Sequence, residues 1–328
     1  MSPDPSLAAR ILSRRPLQYA GGADLALDRP AHIRGGSSLA WIASRIVLVQ
    51  DDANFLALVD PSTGEAHAVS LPAGKGGARQ FDDLRGNKRH RLDLEACVAI
   101  AAGKGTMLLA FGSGSSRRRE RVLVVEGLES LTPGMTLVKA PAFYAGLRRA
   151  TDFSGSQLNL EGAIQVGSRL RLFSRGNGPP LEALLPVNAT CDISLGRLLS
   201  HLRDPERTPP PRPAAVVRYG LGTLDGIPLG FTDAIPWQGT VLYSATAEAS
   251  PDAVRDGPVA GSAIGLLQPD GTGRWAPLTG PSGEVLRVKA EGLVADPASA
   301  RRLMVVLDAD DPSASSELCS VELDGPWS

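Results

Sequence analysis

A short pattern of residues recurs along the chain and limits what it can fold into. Each copy has an apolar residue, a polar residue, a second apolar residue, an acid, a small residue and then an apolar run. Three copies have a glutamate at the acid position, one has an aspartate, and the first has a hydroxyl. In chain order, the copies are 36–42, 92–100, 158–164, 222–228 and 288–294. The chain is therefore predicted to consist of internal repeats.

The length of the repeat favours one architecture. If the acid and hydroxyl positions are equivalent, successive copies are 57, 66, 64 and 66 residues apart, at Ser38, Glu95, Glu161, Asp225 and Glu291. Units of this length with several short strands are typical of a β-propeller, in which each repeat is a four-stranded blade and the innermost strand lines a central channel. Five copies predict an all-β fold, a single five-bladed β-propeller, with blades that start near these five residues.

The two ends of the chain are predicted to complete the last blade together. Only 37 residues follow Glu291 and 37 precede Ser38, so neither end is long enough for a blade of its own. We expect residues 17–27 to add the outer strand of the last blade, which would close the ring and remove two open sheet edges. Residues 1–328 would then form one domain.

Composition agrees with many short strands separated by turns, because the chain is 43% hydrophobic and has 36 glycines and 26 prolines. The net charge of −1 gives no drive toward nucleic acid or a membrane. Three widely spaced cysteines signal neither a disulfide framework nor a zinc site. No apolar run is long enough for a signal peptide or a membrane span. We therefore expect a cytoplasmic protein with no nucleic-acid or membrane partner.

One segment departs from the strand pattern. Residues 193–202 have apolar side chains at positions 193, 195, 198, 199 and 202, which is closer to helical spacing than to strand alternation. The sequence predicts a short helix here, inserted in a loop.

Five-fold symmetry would place the repeated side chains together at one end of the channel. Four carboxylates converging in a narrow channel repel one another unless protons or a cation neutralise them. An all-oxygen ring suits Ca²⁺ better than zinc. The sequence thus predicts a calcium site formed by Ser38, Glu95, Glu161, Asp225 and Glu291. The alternative is that these acids point into turns or accept backbone hydrogen bonds.

The repeated motif, together with Asp51 and Asp52 at the end of the second strand, resembles the calcium-dependent nucleotidase (apyrase) propellers. It is also similar to phytase-type propellers. The nucleotidase resemblance implies five blades and a central calcium held by glutamates and serines, one from each blade. Ser38, Glu95, Glu161 and Glu291 match that pattern, whereas Asp225 stands where the family tends to have a hydroxyl, for which Thr223 is a nearby alternative.

A second resemblance is to uncharacterised bacterial propeller families, through residues 88–96 and 230–234. It implies the fold and no particular activity.

Further charged residues are expected on the face that carries the ring. In a meandering blade, the loop before the first strand and the loop between the second and third strands open on the same face. The candidate catalytic residues on that face are Asp51, Asp52, Arg175 and Asp308. Acids beside a divalent metal can act as general bases, and arginine binds phosphate through two parallel hydrogen bonds.

These residues leave three functions open. The first is a metal-dependent hydrolase of phosphate esters or anhydrides, with a small anionic molecule as its substrate. The second is a propeller without catalytic activity, in which the ion is structural and the face binds a ligand or another protein. The third is a lactonase or esterase, in which the metal polarises a carbonyl group. The fold alone does not choose among them, because propellers support many activities. No protein partner is indicated.

Overall fold

The computed structural model describes residues 1–103, 105–129, 133–250, 257–268 and 271–328. Strands form most of the regular structure in these residues. In chain order, the strands are β1 (Ser2–Pro3), β2 (Ala8–Pro16), β3 (Gln18–Tyr19), β4 (Gly36–Ile42), β5 (Arg45–Gln50), β6 (Phe55–Val59), β7 (Glu65–Ser70), β8 (Leu94–Ala102), β9 (Gly105–Gly112), β10 (Arg121–Glu126), β11 (Gly134–Lys139), β12 (Leu160–Val166), β13 (Arg169–Ser174), β14 (Asn188–Ser194), β15 (Ala214–Tyr219), β16 (Thr223–Leu224), β17 (Ile227–Trp237), β18 (Thr240–Glu248), β19 (Val259–Leu267), β20 (Gly273–Thr279), β21 (Lys289–Ala295), β22 (Arg302–Asp308) and β23 (Glu317–Asp324).

The strands are arranged as consecutive antiparallel meanders, which is the arrangement of an all-β, propeller-like fold. The meanders are β4 to β7, β8 to β11, β12 to β15, and β17 to β20, while β21 to β23 are joined by β2. Short additions extend two of them, since β3 pairs in parallel with β7, and β16 forms a hairpin with β17.

The N-terminal strand that joins the last meander is not the predicted segment. β2 pairs antiparallel with β23, whereas residues 17–27 contain the two-residue strand β3 and a short 3-10 turn. Ala9 and Ile11 alternate into the core of this sheet, whereas Leu17 and Tyr19 of the predicted segment are buried beside the first meander, where β3 pairs with β7. β2 also pairs in parallel with β20 through Ala9 and Arg10, which links the last two meanders into one ten-stranded sheet.

The first strand of each meander lies against the first strands of two other meanders. β4 contacts β8, β8 contacts β12, β12 contacts β17, β17 contacts β21, and β21 contacts β4. Apolar clusters fill the spaces between neighbouring sheets, with β8 to β14 contributing to the largest of them. The first strands therefore lie against one another in this order, and the line between them is called the axis below.

Three α-helices lie in connections between strands of the described residues: α1 (Pro141–Arg149), α2 (Thr151–Ser154) and α3 (Leu195–Arg203). α3 confirms the helix predicted at 193–202, displaced because Ile193 and Ser194 still belong to β14. Ser194 caps α3 by accepting a hydrogen bond from the Arg197 backbone N–H. α1 and α2 were not predicted. No helix in the described part of the chain is long and apolar enough to cross a membrane.

The role of β2 in the core can be tested with two adjacent residues. Ile11 is 2% exposed among the apolar side chains between β20 and β23, whereas its neighbour Leu12 is 42% exposed. We expect Ile11→Ala to lower the free energy of unfolding by about 2–5 kcal/mol, as a buried truncation does. Leu12→Ala should change it by less than about 0.5 kcal/mol. Urea unfolding of both variants checks this, and equal effects would show that β2 does not pack as described.

Candidate functional site

The strands around the axis share a local irregularity. In each first strand, the pairing with the second strand shifts by one residue, near the beginning of β4, β8, β12 and β21 and in the middle of β17, as in a β-bulge. A bulge leaves one residue unpaired and redirects its side chain, and bulges are common beside active sites. The residues at the shifts are Ser37, Glu95, Glu161, Thr232 and Glu291.

Three of the five predicted ring residues occupy these shifts, namely Glu95, Glu161 and Glu291, and all three line one cavity on the axis. In the first strand, Ser37 rather than Ser38 holds the position and lines the cavity. Ser38 is fully buried, and its hydroxyl lies 3.1 Å from Asp233 Oδ2. The sequence pattern therefore placed the first ring position one residue too far along the chain. A shift of one residue matters because neighbouring side chains of a strand point to opposite faces.

The structure does not bring Asp225 to the other four. Asp225 and Gly226 form the tight turn between β16 and β17, and both have positive φ angles, of 52° and 77°. Asp-Gly is a strong signal for such a two-residue hairpin turn. The Asp225 side chain is 66% exposed and pairs with Arg287 at the surface. Thr232, seven residues later, holds the bulge position, and Thr223 belongs to the same hairpin as Asp225.

The cavity on the axis, called the axial cavity below, is small and highly charged. Its volume is about 40 Å³, which is enough for a few water molecules or an ion but not for an organic substrate. Seven carboxylates and three basic side chains line it: Asp51, Glu95, Glu161, Glu248, Glu291, Asp308 and Asp310, with Arg91, Arg175 and Lys289. The carboxylates exceed the basic groups by four if all are ionised.

Two basic side chains form ion pairs with the acids in one half of the axial cavity. Lys289 Nζ lies 2.9 Å from Glu291 Oε1 and 2.9 Å from Asp310 Oδ1. Arg175 is 2.7 Å from Glu248 and 3.7 Å from Glu161. Burial by itself would lower the pKa of Lys289, but the carboxylates outweigh it and hold that pKa well above its ordinary value. Lys289 therefore stays charged and acts as an internal cation.

Three acids cluster on the other side of the axial cavity. Ligand oxygens of Asp51, Asp93 and Glu95 all lie within 4.8 Å of one another. Asp93 is 1% exposed and pairs with Arg91 and with Arg119 Nη1, the latter at 2.9 Å. Arg91 also pairs with Asp51. Among the described residues, Glu95 makes no hydrogen bond and no ion pair within 4 Å, so its charge is the least compensated of the three.

Burial shifts the protonation of these acids. It raises the pKa of Glu95 well above its ordinary value, and the nearby Asp93, Asp51 and Glu161 add to the shift. Burial also raises the pKa of Asp51 and of Glu161, in spite of their arginine neighbours. For Glu291, burial outweighs Lys289 and raises the pKa to about 7. Without a bound cation, the cavity therefore holds protons at pH values where exposed carboxylates are ionised.

The predicted catalytic residues all lie in or beside this site. Asp51, Arg175 and Asp308 line the axial cavity, while Asp52 lines an adjoining cleft and pairs with the buried Arg34. Burial raises the pKa of Asp52 to about 6 despite Arg34. Asp308 accepts a hydrogen bond from Ser316 Oγ at 2.6 Å and forms no ion pair within 4 Å among the described residues.

Sequence analysis missed Asp93, Lys289 and the pairing of Arg119. Arg91, Asp93 and Glu95 alternate along the chain just before and into β8, and this charged alternation was an available signal. Asp93 has a positive φ of 59°, a backbone conformation more common for aspartate than for most other residues, which turns its carboxylate toward Arg119. Of the three consecutive arginines at 117–119, only Arg119 is buried.

A buried aspartate joins the first strands beneath the axial cavity. Asp233, 2% exposed, accepts hydrogen bonds from Ser38 Oγ at 3.1 Å and from the Leu293 backbone N–H at 3.2 Å. Ser38 Oγ in turn accepts one from the Cys97 N–H. Strands β4, β8, β17 and β21 are thus connected through two side chains, which fixes the positions of the bulges above them.

Glu95 should reduce the stability of the cation-free protein. We expect Glu95→Gln to raise the free energy of unfolding of the cation-free protein at pH 7.5 by about 1 kcal/mol, the value of a single pKa unit, because the amide needs neither the proton nor the half-buried charge that folding requires of Glu95. Glu120→Gln is the comparison, because the buried Glu120 pairs with Arg148, so this change should destabilise. Denaturant unfolding in chelator measures both. A loss of stability in the Glu95 variant would contradict the assignment.

The sequence matches a family of unknown function, DUF6929, over residues 32–323. A comparison with curated proteins gives no match.

Solved structures with a similar chain path include three different kinds of protein. Glutaminyl cyclase of Myxococcus xanthus is 12% identical, with 97% of each chain covered and a TM-score of 0.46. An alpha-L-arabinofuranosidase of Podospora anserina is 11% identical, with 98% of each chain covered and a TM-score of 0.44. The Nup133 β-propeller domain of Vanderwaltozyma polyspora is 9% identical over 88% of this chain and 71% of its own, with a TM-score of 0.36. Similarity this low carries no argument about activity.

The family match, by contrast, spans most of the sequence, and the chain therefore belongs to the family of unknown function DUF6929.

Proposed function

We propose that this protein is a five-bladed propeller that binds a divalent cation, most suitably Ca²⁺, in the axial cavity. The five meanders would be its blades, and β2 would close the ring at β23 and β20. The contacts among β4, β8, β12, β17 and β21 support this closure, because they return to the strand from which they start. Five apolar clusters between neighbouring sheets support it as well.

One observation carries the proposed cation site. The oxygens of Asp51, Asp93 and Glu95 converge within 4.8 Å of one another at the axial cavity, and Lys289 and Arg175 form no ion pair with them among the described residues. Carboxylate oxygens without histidine or thiol ligands are the donor set of Ca²⁺. A cation there would compensate Glu95, which has no partner of its own among the described residues. The donor set therefore fits the ion.

The resemblance to the nucleotidase propellers supports the same proposal. That resemblance implies a ring of glutamates and serines, with a hydroxyl residue in the fourth repeat. Taken at the bulges, the order here is Ser37, Glu95, Glu161, Thr232 and Glu291, so hydroxyl residues hold the first and fourth positions. Thr232 itself donates a hydrogen bond to the Ala290 carbonyl at 2.7 Å and lies outside the cavity lining. We therefore count Thr232 as the bulge residue of the fourth repeat but not as a ligand of the cation.

We further propose hydrolysis of a small phosphate ester or anhydride beside this site. A bound Ca²⁺ would supply Lewis-acid stabilisation of charge on a phosphoryl oxygen. Asp308 is the general base of this proposal, because it lines the cavity without an ion pair in the described chain. Hydrolysis joins a water oxygen to phosphorus and breaks the phosphorus–ester oxygen bond, and Asp308 passes the water proton to the departing alkoxide. Asp51, Asp52 and Arg175 would fix the charged side chains around Asp308. They do so through ion pairs with Arg91, Arg34 and Glu248, respectively.

A second candidate function has an observation of its own. The axial cavity has only about 40 Å³, and the basic groups around it, Arg91, Arg175 and Lys289, are all bound to carboxylates. This arrangement suits an enclosed structural ion, in which case the surrounding face would bind a ligand or partner without catalysis.

The cation site is tested by calcium binding and thermal melting. We expect one Ca²⁺ per chain by calorimetry and a rise in Tm of about 5 °C at a hundredfold excess over Kd, because the ion binds only the folded state. Asp93→Asn and Glu95→Gln should each weaken binding at least about tenfold. Asp225→Asn is the matched control, since it changes a predicted ring residue that the structure places at the surface.

The outcome also separates the two functions. Calcium binding with turnover of phenyl phosphate, lost in Asp308→Asn with calcium affinity retained, supports the hydrolase. Calcium binding without turnover of phosphate esters, anhydrides or lactones supports a structural ion. If neither calcium nor chelator changes Tm, the cation site is rejected.

Stability without calcium should depend on pH with a definite sign. Asp52 and Glu291 have ordinary pKa values of 3.8 and 4.5, which burial raises to about 6 and about 7 in the folded protein. The folded state therefore binds more protons than the unfolded state between these limits, and stability must fall as pH rises. In chelator, we expect unfolding free energy to decrease from about pH 5 to pH 8. Calcium affinity should increase over the same interval, because the ligands must lose protons. A flat profile in chelator would contradict these pKa shifts.

A further inference from the structure

The axial cavity is too small for an organic molecule, so any substrate of the proposed site must extend into a neighbouring space. Three clefts adjoin the cavity and share side chains with it, with volumes of about 180, 290 and 630 Å³. The largest lies between the beginnings of β19 and β21 and the connection from β22 to β23. Only this cleft falls within the range usual for the binding of drug-sized ligands.

The largest cleft, called the apolar cleft below, has a polar inner end and an apolar wall. Its inner end is Lys289, Asp308 and Asp310, which also line the axial cavity, so the two spaces are continuous at these residues. Its wall includes Pro258, Val259, Val288, Leu307 and Ala309. A molecule with a charged end and an apolar body would match this division.

The charges around the smallest cleft exclude it for an anion. The cleft of about 180 Å³ is lined by Asp51, Asp52, Asp82, Asp83, Asp308 and Asp310, against three basic side chains. Its excess of carboxylates would repel a phosphate. The apolar cleft, in contrast, has as many basic as acidic side chains, with Arg14, Arg287 and Lys289 against Asp308, Asp310 and Glu317.

We propose that the apolar cleft binds the alcohol part of a phosphomonoester whose alcohol is apolar, with the phosphate at Lys289 and Asp308 beside the axial cavity. This inference rests on the proposed cation site, because the cation supplies the positive charge that draws the phosphate to an acidic inner end. Val259 and Val288 lie against the apolar body, and Ala309, which is exposed, borders the space it occupies. The ion pairs of Arg14 with Glu317 and of Arg287 with Asp225 mark the solvent end of the cleft.

Binding of two phosphonates to the calcium-loaded protein tests the proposal without turnover, since their carbon–phosphorus bond is not hydrolysed as an ester is. Phenylphosphonate carries an apolar ring and methylphosphonate does not. We expect phenylphosphonate to bind at least about tenfold more tightly, the gain from burying most of an aromatic ring. Calorimetry gives both affinities.

A bulky side chain placed in the apolar cleft should remove this preference. Ala309→Trp fills the space from an exposed loop position, and Ala298→Trp is its matched control, at an exposed position in the turn between β21 and β22. We expect Ala309→Trp to reduce phenylphosphonate affinity to the level of methylphosphonate, with calcium affinity and Tm unchanged. Ala298→Trp should keep the wild-type preference.

The results distinguish failure of this inference from failure of the proposed function. If both phosphonates bind equally and Ala309→Trp has no effect, the apolar cleft is not the binding site although the cation site attracts phosphate. If calcium binds but neither phosphonate does, the phosphate chemistry itself is overturned, and this inference is overturned with it.

Discussion

Carboxylates that are forced into a poorly solvated space are the constraint on which this structure depends. Each first strand has a bulge, and four of the five bulges line one cavity, so Glu95, Glu161 and Glu291 are held close together. Removing charges from water costs free energy unless they are paired or protonated. The arrangement persists because Asp233 and Ser38 tie the strands together below the cavity, and because the apolar clusters between the sheets hold the strands in place.

The chain meets that constraint in two different ways in the two halves of the axial cavity. Lys289 and Arg175 provide internal cations for Glu161, Glu248 and Glu291, so the acids of that half are paired whatever the solution contains. Around Asp51, Asp93 and Glu95, Arg91 and Arg119 are shared among several acids, and Glu95 has no partner in the described part of the chain. Sites with uncompensated charges lower the stability of the fold and are often functional, because a bound ligand supplies the compensating charge.

Several features of the site could be predicted from residue spacing and others could not. The repeat located Glu95, Glu161 and Glu291, and the ends of the second strands located Asp51 and Asp308. The same spacing misplaced two ring positions, at Ser38 and Asp225. In the fourth repeat, the motif lies in the hairpin turn between β16 and β17, before the bulge of β17. The Asp-Gly pair at 225–226 is a stronger signal for a hairpin turn than for a ring position, so the local signal should have taken precedence.

The sequence by itself determined the class of fold, the repeat and the face on which charge collects, because strand alternation, turn residues and repeat spacing are local properties. It also determined that acids greatly outnumber other polar types at the repeated positions. Only the tertiary structure decided that residues 8–16 rather than 17–27 join the last sheet, and that Lys289 neutralises Glu291 while Glu95 remains alone. Register and side-chain pairing depend on contacts between distant segments, and a one-residue shift that leaves the sequence pattern intact reverses which side chain faces the axis.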